Sequence, residues 1–127
     1  MATDPRRGLG VLGERLAREH LERSGYEILE RNFRCRSGEL DIVAAADLAL
    51  VFVEVKTRVA GGRSGPSGPL DAVGVGKRRR LRLLAAEWLS ARRGDHSFRE
   101  NLRFDAIGVT VNRAGGLLAL EHLEDAF

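Results

Sequence analysis

The sequence predicts an α/β fold in which long helices flank one mixed sheet. Segments 38–43 and 51–56 are β-branched and apolar except for charges at every second position, a pattern typical of strands. Helical periodicity precedes and follows this pair, from Leu9 or Leu12 to Ser24 and from Asp71 or Val75 to Arg92. With one strand before the pair and another after the second helix, the order is α-β-β-β-α-β, and a short extra strand comes near the end.

The first helix has an apolar side that predicts packing against the sheet. That side consists of Leu16, Ala17, His20 and Leu21. Gly25 ends the helix, and residues up to about Gly8 predict a basic, loosely held tail. Glu14 lies three and seven positions before Ala17 and Leu21, so it borders the packed side.

The other strands are predicted from the alternation of apolar and polar residues between turn residues. A loop is predicted from one low-complexity stretch. The remaining strands are predicted at 26–33, 102–111 and 117–121, the last at a sheet edge. The second helix buries a stripe of Leu81, Leu84, Ala85 and Trp88. Segment 58–70, rich in Gly, Ser and Pro, predicts a flexible loop, either a lid over a site or a tolerated insertion. No domain linker interrupts the chain, so residues 1–127 are expected to form one domain.

Composition narrows the class of protein. The net charge of +3 and pI of about 9.7 favour an anionic partner. The lone Cys35 excludes an internal disulfide, and no apolar run resembles a signal peptide or a membrane span, so a cytoplasmic protein is expected. His20, His96 and His122 are scattered, which predicts surface or packing roles rather than a zinc site.

The two central strands are predicted to form a hairpin that groups four charges. If the turn centres on Asp47 and Leu48, paired residue numbers sum to 95. Asp41 then stands opposite Glu54, and Glu39 opposite Lys56, all on one face. The other face, with Leu40, Ile42, Val53 and Val55, is expected to be core.

Opposed carboxylates on a sheet repel each other unless a cation lies between them. Asp41 and Glu54 offer the hard oxygen ligands that Mg²⁺ and Mn²⁺ prefer. Lys56 points the same way and suits positioning a water or stabilising phosphate charge. A simpler alternative is that Glu39 and Lys56 form a cross-strand salt pair and the acids are only solvated.

Asp41 followed by Glu54-Val55-Lys56 resembles the motif of the PD-(D/E)XK nucleases, which share the restriction-endonuclease-like fold. A wider set of residues resembles the small bacterial YraN-like family, itself similar to archaeal-type Holliday-junction resolvases. That set covers nearly the whole chain: Gly13-Glu14, Gly25-Tyr26, Arg31-Asn32, Gly38-Glu39-Leu40-Asp41, Phe52 to Arg58, Arg103-Phe104-Asp105 and Ala126-Phe127.

This resemblance implies a Mg²⁺- or Mn²⁺-dependent endonuclease acting on DNA, with structured or branched DNA as a candidate substrate. Asp41, Glu54 and the Val55 carbonyl are then expected to hold the metal, and Lys56 to position the attacking water. Glu14 is expected to reach the site from the first helix as a third carboxylate, and Glu39 to support it. A homodimer is implied by analogy with resolvases, because two cuts need two sites.

Basic residues are concentrated before and within the second helix. Phosphate contacts are expected from Arg58, Arg63, Lys77, Arg78, Arg79, Arg80 and Arg82. A solvated helix face is the simpler explanation of such a run. Only Lys56 and Lys77 are lysines among 21 basic residues, which suggests that the site requires a compact ammonium.

Asp105 interrupts an apolar run, and pairing with Arg103 is its expected role, ahead of support for the site. Two other functions remain open beside the nuclease. One is a nucleic-acid-binding module without catalysis, and the other is an interaction subunit of a DNA repair or processing complex.

Overall fold

The computed structural model describes residues 5–61, 75–92 and 101–127. Their elements are α1 (Pro5–Arg23), β1 (Glu27–Cys35), β2 (Gly38–Ala46), β3 (Ala49–Val59), α2 (Val75–Ala91), β4 (Asn101–Val111) and β5 (Leu117–Leu123). The predicted order and the short extra strand are confirmed.

One mixed sheet of five strands runs in the order β1-β2-β3-β4-β5. All neighbours are antiparallel except β3 and β4, which are parallel. A parallel pair needs a crossover connection, and α2 lies in that connection. The predicted α/β class with a mixed sheet is confirmed. Within the described ranges, neither helix combines the length and apolarity needed to cross a bilayer.

The two helices pack on opposite faces of the sheet. On the α1 face, Ala17 and Leu21 pack with Ile42, Val51, Val53, Ile107 and Val109. On the α2 face, Leu81, Leu84, Ala85 and Trp88 pack with Leu40, Val43, Phe52 and Phe104. These buried residues confirm the helix stripes read from the sequence, and they give each side of the sheet its own apolar layer.

Several boundaries differ from the predictions. Helix α1 begins at Pro5, so the expected loose tail is wrong for residues 5–8. Proline suits a first helical position because its missing N–H needs no partner there. Strand β1 continues to Cys35, where it pairs with Gly38. Strand β3 continues to Val59 because β4 pairs with it that far, and residues 60–61 form a turn. Of the expected flexible loop, 62–70 lies outside the described residues.

Close packing of α1 against β3 depends on Gly13, which is buried. A Cβ atom there would overlap the Thr57 side chain. We expect Gly13→Ala to lower the free energy of unfolding by about 1–3 kcal/mol, because the added methyl forces helix and strand apart.

Gly10→Ala is the matched control in the same helix, since a Cβ at Gly10 meets nothing within 4 Å. It should leave stability unchanged or raise it by up to about 1 kcal/mol, because alanine has the higher helix propensity. Urea denaturation measures both variants. Equal stability of the two alanine variants would contradict the importance of this contact.

Candidate metal site at the gap between β2 and β3

The β2–β3 hairpin has the predicted register over its paired length. Pairs from Ile42–Val53 to Ala46–Ala49 sum to 95, and the turn consists of Asp47 and Leu48. Asp47 has a φ of 50°, a left-handed conformation that aspartate tolerates better than most residues. Regular pairing ends at Ile42–Val53, one position before the expected Asp41–Glu54 pair.

The side chain of Asp41 occupies the gap that opens there. Its Oδ2 accepts a hydrogen bond from the backbone N–H of Val55 at 2.8 Å, in place of a backbone carbonyl of β2. Because the N–H and C=O of one strand residue point to the same side, the Val55 carbonyl is also directed toward this gap. This makes the Val55 carbonyl a candidate second oxygen beside the Asp41 carboxylate.

The prediction that four charges share one face is wrong. Leu40 packs on the α2 face whereas Ile42 packs on the α1 face, so strand alternation is broken at Asp41. Val53 and Val55 lie on the α1 face, which directs Glu54 and Lys56 to the other side. The expected placement of Leu40 with Ile42 in one apolar layer is also wrong.

The cause of the break lies in the local backbone of β1 and β2. Asn32 stands across from Asp41, between the pairs Arg31–Ile42 and Phe33–Leu40, and has a φ of 55°. A left-handed residue within a strand interrupts its regular pleat. The alternation rule presumes a regular pleat, so it does not hold through this position.

Three carboxylates converge at the gap. Oxygens of Glu14, Glu39 and Asp41 lie within 4.8 Å of one another, so α1 does deliver a third acid to the sheet. When its nitrogen faces these acids, the Asn32 amide donates to Glu39 Oε1 at 3.1 Å and to Glu14 Oε2 at 2.9 Å.

Burial of this group changes its protonation. Burial raises the pKa of Asp41 from 3.8 to about 7, opposed by the Val55 hydrogen bond and reinforced by the charges of Glu54, Glu14 and Glu39. Burial and the charge of Glu39 also raise the pKa of Glu14. Crowded carboxylates near neutral pH therefore favour either a proton or a cation between them.

Glu54 and Lys56 form an ion pair on the other side of the gap, near enough for the charge of Glu54 to raise the pKa of Asp41. Lys56 Nζ is 3.5 Å from Glu54 Oε1, and the Glu54 side chain is only 12% exposed. Glu39 instead has Arg34 Nε at 3.8 Å.

The predicted phosphate-binding residues fall into three groups. Arg78, Arg79 and Arg80 are exposed on α2, and the Arg80 stem lies near Gly38 at the start of β2. Arg82 donates to the Phe127 carbonyl at 3.2 Å and lies over the Phe104 ring, and Arg58 approaches Thr110, so both have structural contacts. Arg63 lies outside the described residues, and for Lys77 the structure describes only the backbone position in α2.

Sequence reasoning gave no role at the site to four residues near the acids. A cavity of about 190 Å³ beside the carboxylates is lined by Arg15, Arg18, Arg31 and Asn32, among others. The spacing of Arg15 and Arg18 after Glu14 was a usable signal, because all three positions lie within about one helical turn. The left-handed conformation of Asn32 had no comparable signal in the sequence.

Asp105 has the structural role expected of it. It is fully buried and accepts hydrogen bonds from Arg103 Nε at 2.9 Å and from the Asp125 backbone N–H at 2.9 Å. His122 Nε2 lies 2.8 Å from its Oδ2, and His20 contacts His122 in turn at 3.1 Å. These two histidines therefore join α1 to β4 and β5, a packing role more specific than the one predicted.

The fold and the site together define a class of protein: a single α/β sheet with an oxygen-rich acidic group at a gap between two central strands. The chain belongs to a family described as uncharacterised protein family UPF0102, whose model matches residues 13–109. The match includes all five predicted catalytic positions.

Relatives from several bacteria carry the same family name. A UPF0102 protein of Mycobacterium ulcerans is 49% identical over 116 residues, covering 90% of each chain. One from Rhodococcus jostii is 45% identical over 119 residues, covering 94% of this chain and 95% of the relative. Another from Geobacter metallireducens is 46% identical over 121 residues, covering 95% of this chain and 93% of the relative. These names record membership of the family and no activity.

Proposed function

We propose that this protein is a metal-dependent nuclease that hydrolyses phosphodiester bonds in DNA. The observation that carries the proposal is the convergence of Glu14, Glu39 and Asp41 within 4.8 Å at a gap in the sheet. Such crowding is unfavourable without a cation, and folds retain it where function requires it. The α/β order also agrees with the restriction-endonuclease-like fold that the motif resembles.

The residues at the gap fit a hard divalent cation. Asp41, the Val55 carbonyl, Glu14 and Glu39 would hold Mg²⁺ or Mn²⁺. Glu54 would reach the ion from the other side of the gap, where its charge already acts on Asp41. When bound, such an ion supplies Lewis acidity and neutralises charge at the scissile phosphate. All donors are oxygens, so a soft metal held by sulfur or imidazole does not fit this group.

Lys56 acts next to these ligands, since an ammonium cannot coordinate a cation. Its Nζ lies 3.5 Å from Glu54 and its side chain is one-third exposed, so it can reach both solvent and a bound phosphate. There it orients the attacking water and stabilises the charge that develops on the phosphate.

Cleavage of a labelled substrate panel tests the function directly. Single strand, duplex, flap and four-way junction would each be incubated with Mg²⁺, with Mn²⁺ and with EDTA. We expect metal-dependent cleavage of at least one substrate, and none by Asp41→Asn purified in parallel. A parent that binds DNA but cleaves nothing would leave a nucleic-acid-binding module as the function.

The three exposed arginines of α2 give a separate prediction about DNA binding. Changing Arg78, Arg79 and Arg80 together to alanine should weaken binding equally on all sequences, because phosphate contacts carry no base information. The slope of log K against log salt should become less negative by about 0.9 for each phosphate that the protein no longer neutralises. Fluorescence anisotropy at several salt concentrations measures this slope. An unchanged slope would indicate that Arg78, Arg79 and Arg80 form a solvated helix face that does not contact phosphates.

A further inference from the structure

The cleft between α1 and β1 has a composition that the metal site does not explain. Its cavity of about 190 Å³ is bordered by Glu14 and Asp41 and also by Arg15, Arg18 and Arg31. Three arginines beside crowded acids have the charge pattern of a site that takes a cation and an anion together. Phosphate esters with bound divalent ions are ligands of that kind.

Arg18 provides a second, independent observation. Within the part of the chain that the structure describes, its Nε is buried and has no hydrogen-bond partner. An unsatisfied buried donor costs about 1–3 kcal/mol, more when the group is charged. Arg18 shares a helix face with Glu14 and Arg15, and that face lines the cleft. An oxyanion in the cleft would give the guanidinium of Arg18, which lines it, a partner of opposite charge.

The other two arginines also line the cleft, where the charge of Arg31 acts on Glu14. Arg31 is exposed on β1, beside Asn32. Arg15 has Glu19 at 3.6 Å, but both side chains are largely exposed, and such pairs contribute little. Because a guanidinium presents a fork of donors that matches phosphate oxygens, arginine suits this role better than lysine.

We propose that the cleft between α1 and β1 is a phosphate-binding subsite, in which Arg18 and Arg31 hold a backbone phosphate adjacent to the one at the acidic group. The bound strand then runs from the gap between β2 and β3 across the rim of α1. The identity of the ligand as nucleic acid rests on the proposed function, whereas the capacity to bind an oxyanion rests on the cleft alone.

The test measures DNA binding by anisotropy in Ca²⁺, with a labelled single-stranded oligonucleotide and a labelled duplex. The variant is Arg18→Gln combined with Arg31→Gln. Its control is Arg23→Gln, an exposed arginine at the far end of α1 from the site. We expect Kd for the double variant to rise about tenfold or more. Its salt slope should become less negative by about 0.7–0.9, the change expected when the one phosphate held by these two arginines is no longer neutralised. The control should match the parent.

Further variants separate binding from a structural role. Arg18→Lys with Arg31→Lys should keep the salt slope and lose part of the affinity, because the charges remain and the forks do not. If the double glutamine variant fails to fold, Arg31→Gln alone decides the matter, since that side chain is exposed. An unchanged slope in a folded variant, or an equal weakening in Arg23→Gln, would overturn the proposal.

Two outcomes distinguish this proposal from the nuclease proposal. A parent that cleaves no DNA, together with a double variant that binds DNA more weakly, contradicts only the nuclease. A double variant that cleaves with parental KM contradicts only the subsite. Inorganic phosphate is the second probe: if phosphate raises the Tm of the parent but not of the variant, while both bind DNA alike, the cleft binds free phosphate and the backbone assignment is wrong.

Discussion

Lys56→Ala is expected to lower the single-turnover cleavage rate by about 10²–10³-fold while metal affinity stays near the parental value. Lys56 lies beside Glu54, whose oxygen is 3.5 Å from the ammonium, but it cannot itself be a ligand. Its contribution must therefore be made to the water or to the phosphate. Metal affinity by calorimetry and cleavage by gel assay, on the same preparations, separate the two effects.

Lys56→Arg sharpens this prediction. The guanidinium keeps the positive charge but is larger and planar, so we expect only partial recovery of the rate. Arg23→Ala removes a positive charge far from the site and should cleave like the parent. If Lys56 only neutralises Glu54, Lys56→Ala will change stability slightly and leave the cleavage rate intact.

Asp41→Asn is expected to abolish divalent-metal binding and to stabilise the metal-free protein. Burial and neighbouring carboxylates raise the pKa of Asp41 from 3.8 to about 7, so the folded state binds this proton more tightly than the unfolded state. The metal-free parent therefore loses stability as the pH rises from about 4 to about 7. Asparagine carries no charge to bury, and its amide oxygen can still accept the Val55 hydrogen bond.

In free energy of unfolding, the metal-free Asp41→Asn variant should exceed the metal-free parent only slightly at about pH 4. Above about pH 7 the difference should reach on the order of 4 kcal/mol. Urea denaturation in EDTA across this pH range measures it. Added Mg²⁺ should stabilise the parent and not the variant, because only the parent gains a ligand that binds the folded state. Mn²⁺ binding by the variant with parental affinity would show that Asp41 is not a ligand.

Asp47→Asn provides the matched control for this experiment. Asp47 is exposed in the turn at the opposite end of β2, and its φ of 50° suits asparagine equally well. The same substitution there should change neither metal affinity nor the pH dependence of stability. Glu54→Gln should also abolish metal binding, since Glu54 supplies the second proposed carboxylate.

The cost in stability and the capacity to bind a cation have one physical origin. Carboxylates that repel one another in a half-buried gap destabilise the metal-free fold, and the same proximity gives a divalent ion several oxygens at once. Gly13 maintains this arrangement by letting α1 lie against Thr57 of β3. A bulkier residue there would move Glu14 away from the other two acids.

Local patterns of apolar and turn residues were sufficient to predict the helices, the strands and the register of the β2–β3 hairpin. The apolar stripes of α1 and α2 recur at helical spacing, and the two residues Asp47 and Leu48 set a turn whose pairs sum to 95. Both features depend on neighbours in the chain, which is why they can be read from sequence. Pairing with β4 is a long-range interaction, and it extended β3 to Val59 where composition alone indicated a loop.

By itself, then, the sequence determined the α/β class, the order of elements and the identity of the acids and of Lys56. Only the tertiary structure decided how those acids are arranged. Alternation of side chains assumes a regular pleat, and the left-handed Asn32 together with the Asp41–Val55 hydrogen bond breaks that pleat. The break brings Asp41 to Glu14 and Glu39 and leaves Glu54 and Lys56 on the other side of the gap, because non-local contacts rather than spacing set the backbone there.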